Sequence, residues 1–375
     1  MQVQDRGIWQ LLMQRTSVRL AVSIIILACL IAIFAYPLAP DHTPNANRII
    51  IELSAKPPGF HKLFLKEPIS AKPVKRSFLH RIFLGQEADS KLMPINSFRF
   101  SRDSLMVSHY IDEGVSDTLS FSLRSLLPSS SGTRTVSEMQ GVLKKEYLDK
   151  YYFILGTDRY GRDILSRLLI GTRVSIAVGI VAVLFSLGIG ILLGAIAGYF
   201  RGWVDNVVMY LINILWAIPT LLLVFAITLA IGKGFLQIFF AIGLTMWVGA
   251  ARLIRGQVMV LREMEYVQAA KTLGLGSFRI IYRHILPNIA GPIMVIAASN
   301  FAAAILIEAG LSFLGIGVQP PMPSWGLMIK EHYNFLLTNR PILAIIPGIA
   351  IMILVYAFNI LGNALRDVLD VRERF

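Results

Sequence analysis

Glu308 is the only ionisable residue between Asn288 and Ile329 of this 375-residue chain. An acid inside an apolar helix is costly to hold and is a functional candidate by default. A helix counted from Ala290 at ~1.5 Å per residue puts it about 27 Å along, near one membrane face and away from the midplane. That height fits a gate, a mouth or simple snorkelling better than a proton relay. Asn300 lies nearer the middle, where an amide serves first as a hydrogen bond between helices and second as a pathway lining. Trp216 and Pro219 are further pathway candidates, because a proline removes one backbone hydrogen bond and kinks a helix. Catalytic signatures are missing. There is no G-x-x-x-x-G-K-[ST] loop to cradle phosphates, and Gly232-Lys233-Gly234 lacks both the upstream glycine and the following hydroxyl. There is no H-E-x-x-H or G-x-S-x-G, and His284 and His332 have no acidic or metal-ligand neighbours at useful spacing. The single cysteine, Cys29, reads as an ordinary residue of an apolar run and permits no intrachain disulfide.

The elements that hold these residues are written in composition. Hydrophobic residues make up 55% of the chain and charged residues 16%, against roughly 25% charged in soluble domains. This excludes a disordered chain, a collagen or a disulfide scaffold, and argues against a soluble enzyme. A helix of about 20 apolar residues crosses a bilayer. Six such runs occur: 20–38, 174–198, 207–231, 235–251, 290–313 and 341–365. The first could be a cleaved leader, but it is long, and Tyr36-Pro37-Leu38 follow Ala35 where a cleavage site would need small residues. Gly190, Gly194 and Gly198 recur at the spacing that lets a second helix approach closely.

Net charge is 36 − 23 = +13. Arginines cluster at the N-terminus, between the fourth and fifth runs, and at the C-terminus. With six spans these three regions share one side, and the positive-inside rule makes it cytoplasmic. No compact basic patch with interleaved aromatics is present, which argues against nucleic acid. Residues 41–150 are polar and dotted with prolines. Alternation at Ile49, Ile51 and Leu53, and at Leu119, Phe121 and Leu123, predicts short strands. Ser137 and Gln140 predict a capping box, and Ser129 to Ser131 with Gly132 a loop. The expectation is a small α+β lobe outside the membrane.

The segment 265–288 is amphipathic. Glu265 suits a helix start, Val267, Ala270 and Leu273 share one face, and Gly274 or Gly276 can end the helix. Ser277 can cap a second helix with Phe278, Ile281 and Ile285 on one face. Such a helix across one end of a bundle either docks a soluble partner or packs against headgroups.

This segment resembles the EAA loop of type I ABC importer permeases, E-A-A-x3-G-x9-I-x-L-P. Ala269, Ala270, Gly274, Leu286 and Pro287 match, Glu265 is displaced with Gln268 in the strict slot, and His284 takes the usual Ile slot. The variant is that of the dipeptide, oligopeptide and nickel branch. The block Leu155-Gly156-Thr157-Asp158-Arg159-Tyr160-Gly161-Arg162-Asp163 is similar to L-G-T-D-x-x-G-R-D of the C-type subunit. Ser166-Arg167 and Gly171-Thr172-Arg173 follow it, and Glu308 to Gly315 and Pro323-Ser324-Trp325-Gly326 resemble later blocks.

The resemblance covers about 151–375 and the first span. It implies an all-α polytopic membrane protein with six transmembrane helices and a MetI-like core, from which the small α+β extracytoplasmic insert read at 41–150 departs. The implied divisions are 1–40 tail and first helix, 41–150 insert, 151–173 pre-helix segment and 174–375 transmembrane domain. The implied setting is the cytoplasmic membrane, with a homologous second permease, two ABC ATPase subunits and an extracytoplasmic solute-binding protein as partners. ATP would sit on those partners, with no cofactor on this subunit. Glu265, Ala269, Ala270, Gly274, Leu286 and Pro287 would couple it to the ATPases. The cargo implied is a di- or oligopeptide or related solute. The insert is longer than in most relatives, which puts the docking of the binding protein in question. Arg159, Arg162, Asp158 and Asp163 are expected to form ion pairs that order the segment before the second span. The contrasting class, an ion-gradient transporter, would want paired midplane charges or inverted repeats with broken helices.

Overall fold

The computed structural model describes residues 8–69, 76–127, 135–232, 234–338 and 340–372. In chain order the main elements begin with α1 (Thr16–Ile33), α2 (Ala35–Leu38), β1 (Phe60–Pro68), α3 (Phe78–Leu84), β2 (Ser90–Ser101), β3 (Ser104–Asp112), β4 (Val115–Ser122), α4 (Val136–Val142) and β5 (Leu148–Phe153). Then come α5 (Ile164–Phe200), α6 (Gly202–Trp216), α7 (Thr220–Ile231), α8 (Phe235–Leu261), α9 (Glu265–Thr272) and α10 (Ser277–Ile280). The chain closes with α11 (Ala290–Leu314), α12 (Trp325–His332) and α13 (Ile342–Arg372). Two compact units result. One comprises the described parts of Met1–Ala32, Thr172–Glu331 and Ala344–Phe375, the other those of Ile33–Gly171 and His332–Leu343.

In the helical unit, five described helices are long and apolar enough to cross a membrane, and α6 with α7 makes a sixth if taken as one bent span. The protein is therefore a multi-pass membrane protein. The bend is 93°, a full break where the sequence predicts a kink. Pro219 is extended (φ −54°, ψ 127°) and stands outside α7 as its N-cap. Its ring disfavours helix in the residue before it, so the chain leaves the helix altogether. The glycine triplet forms a seam. A Cβ on Gly190 would lie 2.6 Å from Ala250 Cβ, one on Gly194 2.5 Å from Ala251 O, and one on Gly198 2.7 Å from Arg255 O, so α5 and α8 meet backbone to backbone.

The second unit carries a five-stranded antiparallel sheet in the order β4-β3-β2-β1-β5. Strand β5 crosses residue 150, so the sheet runs past the expected end of the insert. Leu65, Ile95, Leu105 and Val107 bury one face against Leu123, Leu126, Met139 and Leu143. Leu119 and Phe121 do alternate inward on β4, but Leu123 already opens a helical turn. No strand forms at 49–53: Ile51–Leu53 is a 3₁₀ turn, and Ile50 and Leu53, three apart, are the buried pair. The capping box on α4 uses Thr135 and Glu138, two residues before the expected pair. There Glu138 accepts from Thr135 N at 3.0 Å, and an ionised acceptor holds that donor more strongly than the Gln140 amide would. The Ser129–Ser131 loop expectation lies outside the described residues.

Candidate coupling surface and membrane-embedded polar residues

The L-G-T-D block folds as a clamp. Asp158 accepts from Arg162 Nε at 2.6 Å and from the backbone N–H of Tyr160 and Arg162 at 2.8 and 2.9 Å, and Arg167 Nε lies 3.8 Å away. All three side chains are buried. Thr157 Oγ1 donates to Leu53 O at 2.5 Å and accepts from Lys56 N at 2.8 Å. Gly161 has φ +73°, and a Cβ there would lie 1.7 Å from Ile50 O, so the motif's second glycine is sterically required. The expected four-residue ion-pair set is corrected. Arg159 instead lays its guanidinium over the Tyr160 ring and donates to its hydroxyl at 2.6 Å. Asp163 caps α5, accepting from Ser166 N at 2.7 Å and from Ser166 Oγ at 2.5 Å. Burial pushes the Asp163 carboxyl up, and neighbouring Asp41 and Asp158 add to this, against the lowering effect of the Ser166 bonds.

The loop between α8 and α11 is built from both ends. Arg201 pairs with Glu263 at 2.7 Å and donates to Met259 O at 3.1 Å, fixing the end of α8. Gln268 then donates to Arg262 O at 2.9 Å and folds α9 back. Glu265, exposed, opens α9. Gly274 closes it at φ +78° in a Schellman arrangement, with Leu275 N on Ala270 O and Gly274 N on Lys271 O. Val267 and Ala270 point inward and join Ile254, Val258, Ile280, Ile281, Ile285 and Ile289 in one core. Ala269 is exposed on the opposite side.

Three expectations here change. Leu273 is the residue just past α9 and turns out, 82% exposed. Gly276, with no side chain to offer, holds the N-cap in place of Ser277. Phe278 is 71% exposed while Ile280, Ile281 and Ile285 are buried, because α10 widens into a π turn over Ile281–Ile285 and the inward face shifts with it. Leu286 and Pro287 follow in a 3₁₀ turn, half-buried and exposed respectively. Asn288 ties that turn back to His284 O at 2.6 Å and to the Tyr266 hydroxyl at 3.3 Å. With Tyr282, 78% exposed, Leu273 and Phe278 form an outward set of large side chains on this loop.

The four pathway candidates engage separate partners. Trp216 ends α6 half-exposed, with the Arg252 guanidinium 4.4 Å from its ring centroid. Pro219 makes the break beside it. Asn300 donates to Ser186 Oγ on α5 at 2.8 Å, the interhelical bond expected of it. Glu308 is fully buried, which removes snorkelling. It accepts from Ser312 Oγ at 2.6 Å, and Ser312 Oγ accepts from Val318 N at 3.0 Å. Ser324 lies 3.4 Å from Ser312 and caps Leu327 N, so the acid roots a network joining α11 to the segment that follows it. Sequence reasoning missed Asp205. It is bridged by two bonds to Arg255, one from Nε and one from Nη2 at 2.6 Å to Oδ2, and locks α6 to α8. The signal was available: Asp205 is the only acid between Gly202 and Arg262.

Residues 190–375 match the family model of the binding-protein-dependent transport system inner membrane component. The glutathione transport system permease protein GsiD of Pectobacterium atrosepticum is 42% identical over 216 residues, 58% of this chain and 71% of that protein. The dipeptide transport system permease protein DppC of Bacillus subtilis is 41% identical over 219 residues, 58% and 68% respectively. An inward-facing MetNI methionine ABC transporter structure gives a TM-score of 0.44 at 20% identity, covering 54% of this chain and 96% of that one. The chain belongs to the binding-protein-dependent transport permease family, and its sequence expectation of a permease holds.

Proposed function

We propose that this chain is one of two permease subunits in an ATP-driven importer whose cargo is a short peptide or a closely related solute. Two separate ATPase subunits bind and split ATP and push on α9 and the turn after it. The paired permease supplies the other half of the passage, and a solute-binding protein delivers cargo on the far side. Both termini and α9 then lie in the cytoplasm, and the sheet-bearing unit lies outside. The relatives transport glutathione and dipeptides by name, which supports the peptide reading. The observation that carries the coupling role is the exposed set Leu273, Phe278 and Tyr282 above a loop whose inward residues are part of the bundle core. A push on such a loop moves the helices with it, since packed cores shift between discrete arrangements and do not deform continuously.

Ala269→Trp tests this. The site is exposed, so the bundle tolerates the ring while a partner's groove does not. The variant should purify with normal thermal stability, fail to retain the ATPases and lose uptake. Normal assembly and uptake would defeat the assignment.

A further inference from the structure

Helix α3 is the wrong way out for a lobe in water. Its sequence is Phe-Leu-His-Arg-Ile-Phe-Leu, and it buries none of its residues. Phe78 is 67% exposed, Leu79 64%, Phe83 53% and Leu84 58%. Phe78, Leu79 and Phe83 share one face of the helix by its periodicity, and an exposed apolar face of this size marks a contact surface. Arg76 and Arg81 flank it. Among the described residues Arg76 pairs only with Glu87, at 3.5 Å, and Arg81 forms no ion pair.

Where this helix sits is fixed by covalent geometry. Tyr36 follows the last residue of α1 by three positions, so it lies within about 11 Å of the end of that membrane span. Helix α3 rests on that same Tyr36. A Cβ on Gly85, the residue closing α3, would be 2.8 Å from the Tyr36 ring, and the Gln86 N–H donates to His42 O at 2.9 Å. His42 Nδ1 in turn lies 2.8 Å from Tyr36 O. Phe34 and Leu38, on either side of Tyr36, are also exposed. The end of α3 thus packs beside the residues that follow the membrane span.

We propose that α3 is an in-plane membrane foot: its phenylalanines and leucines enter the leaflet into which α1 emerges, and Arg76 and Arg81 meet lipid phosphates. The chemistry is that of interfacial helices, with apolar rings and leucines on the acyl side and guanidinium groups at headgroup level on long stems. The foot is a property of the insert.

The test uses the full chain in lipid nanodiscs with Cys29, its only cysteine, changed to serine. Nitroxide labels are placed by Leu79→Cys and Phe83→Cys, both exposed positions outside any core, with Asp103→Cys in the β2–β3 turn as the aqueous control. Collisions with oxygen and with a water-soluble nickel chelate are measured by electron paramagnetic resonance. Labels at 79 and 83 should collide with oxygen severalfold more than with nickel, and the label at 103 should show the reverse. Labels at 79 and 83 open to nickel would place the helix in water. Labels shielded from both reagents would mean that protein, not lipid, covers it. Either result overturns the proposal.

Discussion

Replacing Gly194 with alanine adds one methyl group, and the structure says where it goes. The new Cβ would lie 2.5 Å from Ala251 O, 3.0 Å from Ala251 Cα and 3.1 Å from Ile254 Cβ. Two of these contacts are backbone, which cannot swing aside, so α5 and α8 must part. Overpacking of this kind costs about 1–3 kcal/mol. Against it stands the gain of about 1 kcal/mol for exchanging glycine for alanine inside a helix. Gly188 provides the matched control: it lies on the same helix, and nothing falls within 4 Å of a Cβ there. Gly188→Ala should therefore be neutral or stabilising and Gly194→Ala destabilising, a difference of sign between positions six residues apart. Thermal unfolding of the purified chain in detergent, followed by circular dichroism, measures both. Equal shifts for the two variants would refute the seam and with it the packing of α5 on α8.

The pair Asp205–Arg255 joins α6 to α8 through two bonds. A double-mutant cycle with Asp205→Asn and Arg255→Gln should return a coupling of about 0.5–3 kcal/mol, and additive effects would show that the bridge contributes nothing. Asp163 should make stability pH-dependent. Its folded pKa is raised chiefly by burial, so the folded state holds its proton more tightly than the unfolded chain does. The stabilisation from this group is full below the unfolded value of about 3.9 and is lost as pH rises through the raised folded value. Asp163→Asn keeps an acceptor for Ser166 N and removes the titration, so unfolding midpoints measured across mildly acidic pH should flatten. An unchanged profile would exclude Asp163 as its source.

The parts of this fold that a sequence reveals are those where solvent dictates composition. Lipid demands about 20 apolar residues per span, and the runs that become α1, α5, α8, α11 and α13 stand out for that reason. The glycine seam was visible because Gly190, Gly194 and Gly198 share a helix face whatever the partner. The 93° break after Trp216 was visible only as a proline; its size depends on how far the chain can relax around Pro219, which spacing does not encode. Local alternatives also compete. Thr135/Glu138 and Ser137/Gln140 both satisfy the capping pattern, and the ionised acceptor wins. In the loop between α8 and α11, Ala269, Ala270 and Gly274 were legible as a motif. The faces of Leu273 and Phe278 were not, because a helix end and a π turn each rotate the pattern away from 3.6 residues per turn. Glu308 stood out as a lone acid, and Ser312 one turn on was within reach of sequence reasoning. Ser324 was not, since a loop brings it back. Asp205 and Arg255 are 50 residues apart and meet only through tertiary packing.

The energy source is the most direct test of a passage moved by separate ATPases. The chain would be reconstituted in proteoliposomes with the second permease, ATPases and binding protein proposed for it, and uptake of a labelled dipeptide followed with ionophores collapsing every ion gradient. Accumulation should require ATP on the side bearing α9 and survive the ionophores. Accumulation driven by an imposed proton or sodium gradient without ATP would contradict it.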